Sequence, residues 1–174
     1  MSIYDELRDR VKEDRLFLVS PPDLPGAMML RQLYVSLELQ PLLDGPWVND
    51  EWEERFGYMK ADFHRFVTGE MIALRLPPSK DVEANIAKLE PPEKETWDIR
   101  CSAPPPQLRV FGRFAGPDVF VALTWKLRSW LDDDLDKWQG AIDECRREWG
   151  KLFASFPHSG ETEHDYITKK VRLV

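Results

Sequence analysis

Histidine and cysteine are scarce in this 174-residue chain, three and two respectively, and glycine occurs only nine times. Structural zinc sites need four nitrogen or sulfur ligands at regular spacing, and Cys101 and Cys145 stand alone and far apart, so no zinc-ligand pattern is present. His158, His164, Glu161, Glu163 and Asp165 crowd one stretch, but no periodic segment sets their spacing, which predicts an acidic loop rather than a metal site. The glycines build no Walker loop, no Gly-x-Ser-x-Gly elbow and no dinucleotide fingerprint, which argues against common NTPases, α/β-hydrolases and dinucleotide enzymes. No signal peptide and no apolar run of 18 or more appears. A cytoplasmic chain is expected, without cofactor, metal or membrane contact, its two thiols buried rather than bridged.

What is present fits a folded protein: 43% hydrophobic residues, seven Trp and nine Phe. The net charge of -7 is unevenly spread. Residues 96–174 hold 12 Lys+Arg and 12 Asp+Glu, which leaves 12 and 19 for residues 1–95 out of totals of 24 and 31. General affinity for nucleic acid is therefore not expected, whereas a local basic patch remains open. The charged, proline-containing stretch from Glu90 to Glu95 reads as a connector. It separates an acidic, mainly helical part (1–90) from a second part (91–174), the two forming one compact unit.

Residues 97–153 organise the rest. Leu108 to Lys126 holds two apolar alternating runs around Ala115-Gly116-Pro117-Asp118, the chemistry of a hairpin turn. Pairing Phe114 with Val119, Gly112 with Val121, Val110 with Leu123 and Leu108 with Trp125 places all eight on one face. Arg109, Phe111, Arg113, Phe120, Ala122 and Thr124 then share the other. Trp97-Asp98-Ile99-Arg100-Cys101 alternates in the same way and predicts a third strand, with Arg100 beside Arg109 and Arg113. Leu135, Trp138, Ile142, Cys145, Trp149, Leu152 and Phe156 recur at steps of 3 and 4 after the acids 132–134, the pattern of a long amphipathic helix stopped by Pro157. Its stripe is expected to cover the apolar sheet face that includes Trp97.

Elsewhere, Ser2 and Asp5 resemble a capping box before a short helix, and Arg15 to Ser20 predicts a short strand. Ala27 to Gln40 contains good helix formers and reads as a helix. Asn49 caps a clear helix with Trp52, Phe56, Met59, Phe63 and Phe66 on one face, and Gly69 ends it. Met71 to Leu76 predicts a strand, Lys80 to Leu89 a short helix and Tyr166 to Val174 a last strand. The fold class is α+β: an antiparallel sheet of three to five strands packed by the long C-terminal helix, with a helical acidic N-terminal part against it.

In this order of elements, residues 80–153 resemble the RelE/HigB-like toxin fold, especially its phage-derived HigB-like branch. The matching pieces are Trp97-Asp98-Ile99-Arg100, Arg109-Val110-Phe111 and Val119-Phe120-Val121-Ala122-Leu123, followed by a helix. The resemblance implies a toxin–antitoxin context, a phage or mobile-element origin, and metal-independent cleavage of mRNA by basic side chains around the scissile phosphate. It places Arg109, Lys126 and Arg128 as catalytic groups. The family usually carries adjacent lysines after the apolar strand and is strongly basic, whereas this chain reads Trp125-Lys126-Leu127-Arg128 and is acidic.

Arg100, Arg113, Phe111 and Phe120 interleave cations with aromatics, which suits phosphates and splayed bases as well as an ordinary half-covered sheet. Lys126 and Arg128 would gather with Lys169, Lys170 and Arg172 if the tail paired back onto the sheet, where Tyr166 or a histidine could move a proton. The first expectation is an interaction protein that binds a protein or RNA partner through these residues. The alternative is an endoribonuclease covered by its own acidic N-terminal half.

Overall fold

Local signals set most of the element ends. Ser2 accepts the Asp5 N–H while the Asp5 carboxylate accepts the Ser2 N–H, closing a capping box on α1 (Ile3–Lys12). The computed structural model describes residues 1–174 apart from the Ala27 side chain. After α1 come β1 (Leu16–Leu18), β2 (Gln32–Ser36), α2 (Gln40–Asp44), α3 (Asp50–Thr68), β3 (Ile72–Arg75), β4 (Ile86–Lys88), β5 (Trp97–Cys101), β6 (Leu108–Gly116) and β7 (Val119–Leu127). Then follow α4 (Arg128–Leu131), α5 (Leu135–Leu152), α6 (Glu163–Tyr166) and β8 (Val171–Leu173). Asn49 Oδ1 accepts the Trp52 N–H at 3.1 Å to open α3, and Gly69 closes it at φ 82°, where only glycine is unstrained. The Asp134 carboxylate accepts the N–H groups of Asp136 and Lys137 to open α5. That helix ends at Leu152, before Pro157, and Phe156 is 93% exposed rather than part of its stripe.

The α+β class holds, but the sheet is larger than expected and mixed. Eight strands run in the order β1-β2-β7-β6-β5-β4-β3-β8. The pairs β2/β7, β3/β4 and β3/β8 are parallel, and the others are antiparallel. Two segments that read as helices are strands: β2 inside 27–40 and β4 inside 80–89. Gln32-Leu33-Tyr34-Val35-Ser36 alternates with period two, and Leu33 and Val35 are fully buried beside β7. β4 fills the place between β3 and β5. In both cases partners remote in the chain override helix propensity. Strands from residues 1–90 thus flank the β5–β6–β7 meander on both sides, and no helix among the described residues is long and apolar enough to cross a membrane.

Both sheet faces are covered, and this changes the hairpin register. Phe114 pairs with Phe120, Gly112 with Ala122, Val110 with Trp125 and Leu108 with Leu127, with irregularities near Phe111/Gly112 and Phe114/Gly116. Strands apolar on both faces carry too little alternation to select one register over its neighbour. Phe120 and Ala122 therefore join Trp97, Ile99, Val110 and Phe114 in a core covered by Phe56, Met59, Phe63 and Phe66 of α3. Phe111, Ala115, Val119, Val121 and Leu123 form a second core with Ala141, Ile142, Cys145 and Trp149 of α5 and Leu7 of α1. The C-terminal helix therefore lies on the face that carries Arg109 and Arg113, not on the Trp97 face. Cys101 and Cys145 are free and buried in regions separated by the sheet, and burial holds the Cys145 thiol up at about 12.

Buried Glu6 ties α1 to the end of α5. Its carboxylate accepts the Ala154 N–H at 2.8 Å and the Ser155 N–H at 3.2 Å. Burial opposes its charge, but the hydrogen bonds from Ser155 and Ala154 outweigh that cost and keep its pKa below the ordinary value. The stability it contributes is therefore present above the unfolded-state pKa and lost as pH falls through the folded one. Replacing Glu6 by Gln should cost about 1–2 kcal/mol near neutral pH in urea unfolding, and the gap to the parent should close on acidification. A gap that stays constant across pH would show that the charge contributes nothing. Gly112 makes a separate demand, since a Cβ there would run into the Val121 carbonyl oxygen and the Phe120 ring. Gly112→Ala should lower stability by about 2–3 kcal/mol by overpacking, read as a shift in the thermal midpoint.

Candidate functional site

Alternation along β5 and β6 puts Asp98, Arg100, Arg109 and Phe111 on the face toward α5, and pairing aligns them. Arg100 lies opposite Arg109, Asp98 opposite Phe111, and Ala87 of β4 stands between Asp98 and Arg75 in register. A cleft of about 730 Å³ opens on this side of the sheet, walled by α5 on one side and by the segment after β3 on the other. Arg75, Lys80, Arg100, Arg109 and Arg128 line it, with Trp138, Leu135 and Ile142 forming an apolar wall.

Asp98 anchors the floor. It is fully buried, with Arg109 Nε 3.3 Å from Oδ2 and Arg100 Nε 3.6 Å from Oδ1. Neither carboxylate oxygen makes a hydrogen bond within the chain, nor does either Nε, so attraction between charges rather than directed bonding holds the cluster. Burial pushes the Asp98 carboxyl up, against the pull of Arg100, Arg109 and Arg75. Burial likewise lowers the pKa of Arg109; Asp98 favours its charge, while Arg100 and Arg128 repel it. Arg75 is lowered by burial and then by Arg100. Guanidinium groups stay protonated through such shifts, so the recess keeps its positive charge.

The two acids at the rim neutralise little. Glu90 pairs with Lys80 at 3.1 Å and Asp133 with Arg128 at 2.9 Å, but the Lys80 and Asp133 side chains are 74% and 92% exposed. Solvated pairs of this kind are weak and yield readily to a better anion. Around the buried floor, three guanidiniums surround one carboxylate.

Of the residues expected to form a site, Arg100, Arg109 and Arg128 meet in this cleft and the others are turned elsewhere. Lys126 pairs with Glu144 of α5 at 2.7 Å. Arg113 donates to the carbonyls of Glu95 and Lys94 and lies over the Trp149 ring. Phe111 is buried against Trp138, and Phe120 is buried on the opposite face against Phe114 and Phe66. The tail strand β8 pairs with β3 at the far edge of the sheet, so Lys169, Lys170 and Arg172 do not join Lys126 and Arg128. Tyr166 is fully buried on the Trp97 side, its hydroxyl bonded to Glu95 and Lys88, and burial raises its pKa strongly. Sequence reasoning passed over Arg75, Lys80 and the role of Asp98. The alternation of Trp97-Asp98-Ile99-Arg100 did place Asp98 beside Arg100, whereas nothing local placed β3 two strands away from β5.

No protein-family model, curated protein or solved structure matches this chain.

Removing the carboxylate while leaving both guanidiniums half in the protein should be costly. Asp98→Ala should lower stability by about 3 kcal/mol, and adding Arg109→Met should recover part of that loss. Chemical denaturation of the two single variants and the double variant tests this; strictly additive losses would mean that the two side chains do not interact.

Proposed function

We propose that this protein is an RNA-binding interaction protein that works inside the cell and grips the phosphates of its partner in the arginine-lined cleft. The observation that carries the proposal is the convergence of Arg75, Lys80, Arg100, Arg109 and Arg128 on one concave surface of a chain with net charge -7. Guanidinium groups recognise phosphate oxygens in forked geometry, and the neighbouring Trp138 and Leu135 offer an apolar wall for an unstacked base. An acidic protein partner would satisfy the cations but has less use for a deep recess beside an aromatic wall. The meander followed by a helix, on which the RelE/HigB-like resemblance rests, supports an RNA partner as well. Residues 75–90 belong to the binding surface, since Arg75 and Lys80 come from them.

The toxin-type, metal-independent endoribonuclease is the second reading. Arg109 and Arg128 in the cleft favour it as phosphate-binding groups, with Lys126 outside. Strand cleavage also needs a proton to move, and His64, His158, His164 and Tyr166 all lie away from the cleft lining. Binding without cleavage therefore fits the residues better.

Single-stranded RNA titrated by fluorescence anisotropy tests the proposal. Arg100→Gln, Arg128→Gln and Lys80→Ala should each weaken binding several-fold, and each should flatten the salt dependence by about one phosphate contact. Lys126→Ala should bind as the parent does. Equal affinity in all four variants would move the RNA elsewhere, and RNA shortened in the presence of EDTA would favour the nuclease.

A further inference from the structure

Granting that the cleft is where phosphate binds, its depth and charge narrow the kind of phosphate. We infer that the floor of the cleft is a subsite for a phosphate monoester, the terminal phosphate of an RNA strand or of a free nucleotide, rather than for the diesters along a chain. Burial is the first ground. Arg109 is 8% exposed and the Arg100 side chain 11%, and Nη1 of each donates to backbone carbonyls, of Leu108 and of Asp81 and Val82, which leaves Nη2 of each for a ligand at the bottom of the recess. An internal diester carries a sugar on two of its oxygens and must enter with chain on both sides. A monoester enters end-on, with three oxygens free.

Charge is the second ground. The five cations Arg75, Lys80, Arg100, Arg109 and Arg128 line the cleft against Asp98 beneath them and Glu90 and Asp133 at the rim, an excess of two positive charges (5 − 3), with Asp81 a further acid beside Arg75. A phosphate monoester carries about -1.5 to -2 near neutral pH, and a diester about -1, so the monoester balances that excess. Donor geometry is the third. Nε of Arg100 and Nε of Arg109 are turned toward Asp98, so the outer edges of the two guanidiniums are what remains to meet a tetrahedral oxyanion with several free oxygens. Above the floor, Trp138 lies within 5.7 Å of the Arg128 guanidinium carbon and stands where the nucleoside attached to such a phosphate would rest. The cleft volume is in the range of small-molecule sites, enough for one nucleotide unit and too small for a folded RNA.

The experiment uses the full chain and one short RNA sequence made with a 5′-monophosphate, a 3′-monophosphate or hydroxyls at both ends, with a nucleoside monophosphate and inorganic phosphate as competitors. One of the phosphorylated RNAs should bind at least about tenfold more tightly than the hydroxyl-ended strand, and both competitors should displace it. Arg100→Gln and Arg75→Gln should each remove that advantage, so that the three RNAs bind alike, at an affinity lowered by no more than the several-fold loss of one phosphate contact. A nucleoside monophosphate that binds as tightly as the phosphorylated strand identifies the free nucleotide as the source; a much tighter strand identifies the RNA end. Equal binding of all three RNAs overturns the monoester subsite and leaves RNA binding standing. Tight binding of the nucleoside monophosphate with no binding of any RNA does the reverse, and no binding of either ends both.

Discussion

A carboxylate with no access to water sits in the middle of the sheet, and the arrangement of charge around it follows from that. Taking an ion out of water costs several kcal/mol unless opposite charge meets it, and Asp98 is met by Arg100 and Arg109 from the same face. Those two guanidiniums are in turn pressed together across neighbouring strands, with Arg75 one strand beyond β4. One negative charge cannot neutralise three positive ones. The excess lines the cleft between α5 and the segment after β3.

Coverage of both faces makes this possible. A sheet open to water on one side would hydrate its arginines singly and leave no recess. Here α3 closes the Trp97 side, and α5 closes most of the other, so the charged residues of β5, β6, β7 and α4 are either paired beside α5 or gathered in the cleft at its start. Arg113 and Lys126 show the first outcome, spending their charge on the Lys94 and Glu95 carbonyls and on Glu144. Arg100, Arg109 and Arg128 show the second. Arg109 and Arg113, four positions apart on β6, thus end in different environments because α5 covers one and not the other.

The buried Lys88–Glu95–Tyr166 cluster on the opposite side works as a fully paired counterpart. Lys88 Nζ donates to Glu95 at 2.6 Å and to the Tyr166 hydroxyl at 2.9 Å, and that hydroxyl also donates to Glu95. Each polar atom there has its partners, so the cluster fastens the C-terminal segment to the sheet and presents nothing to a ligand. The Asp98 cluster differs in that Arg75, Arg100 and Arg109 around one carboxylate also line an open cleft. That contrast in access and charge balance separates a structural cluster from a candidate binding site.

Local chemistry in the chain determined the capped starts of α1, α3 and α5, the Gly69 stop, the three meander strands and the side of β5 on which Asp98 and Arg100 both lie, because caps and alternation act between residues close in sequence. Tertiary structure decided the rest. Which helix covers which face depends on hairpin register, and strands apolar on both sides leave register to packing. β2 and β4 are strands only because β7, β3 and β5 offer them edges, contacts between residues far apart along the chain that no local pattern encodes. The cleft itself belongs to this second group: its cations come from β3, the segment after it, β5, β6 and α4, and they form one surface only once the sheet has ordered those elements side by side.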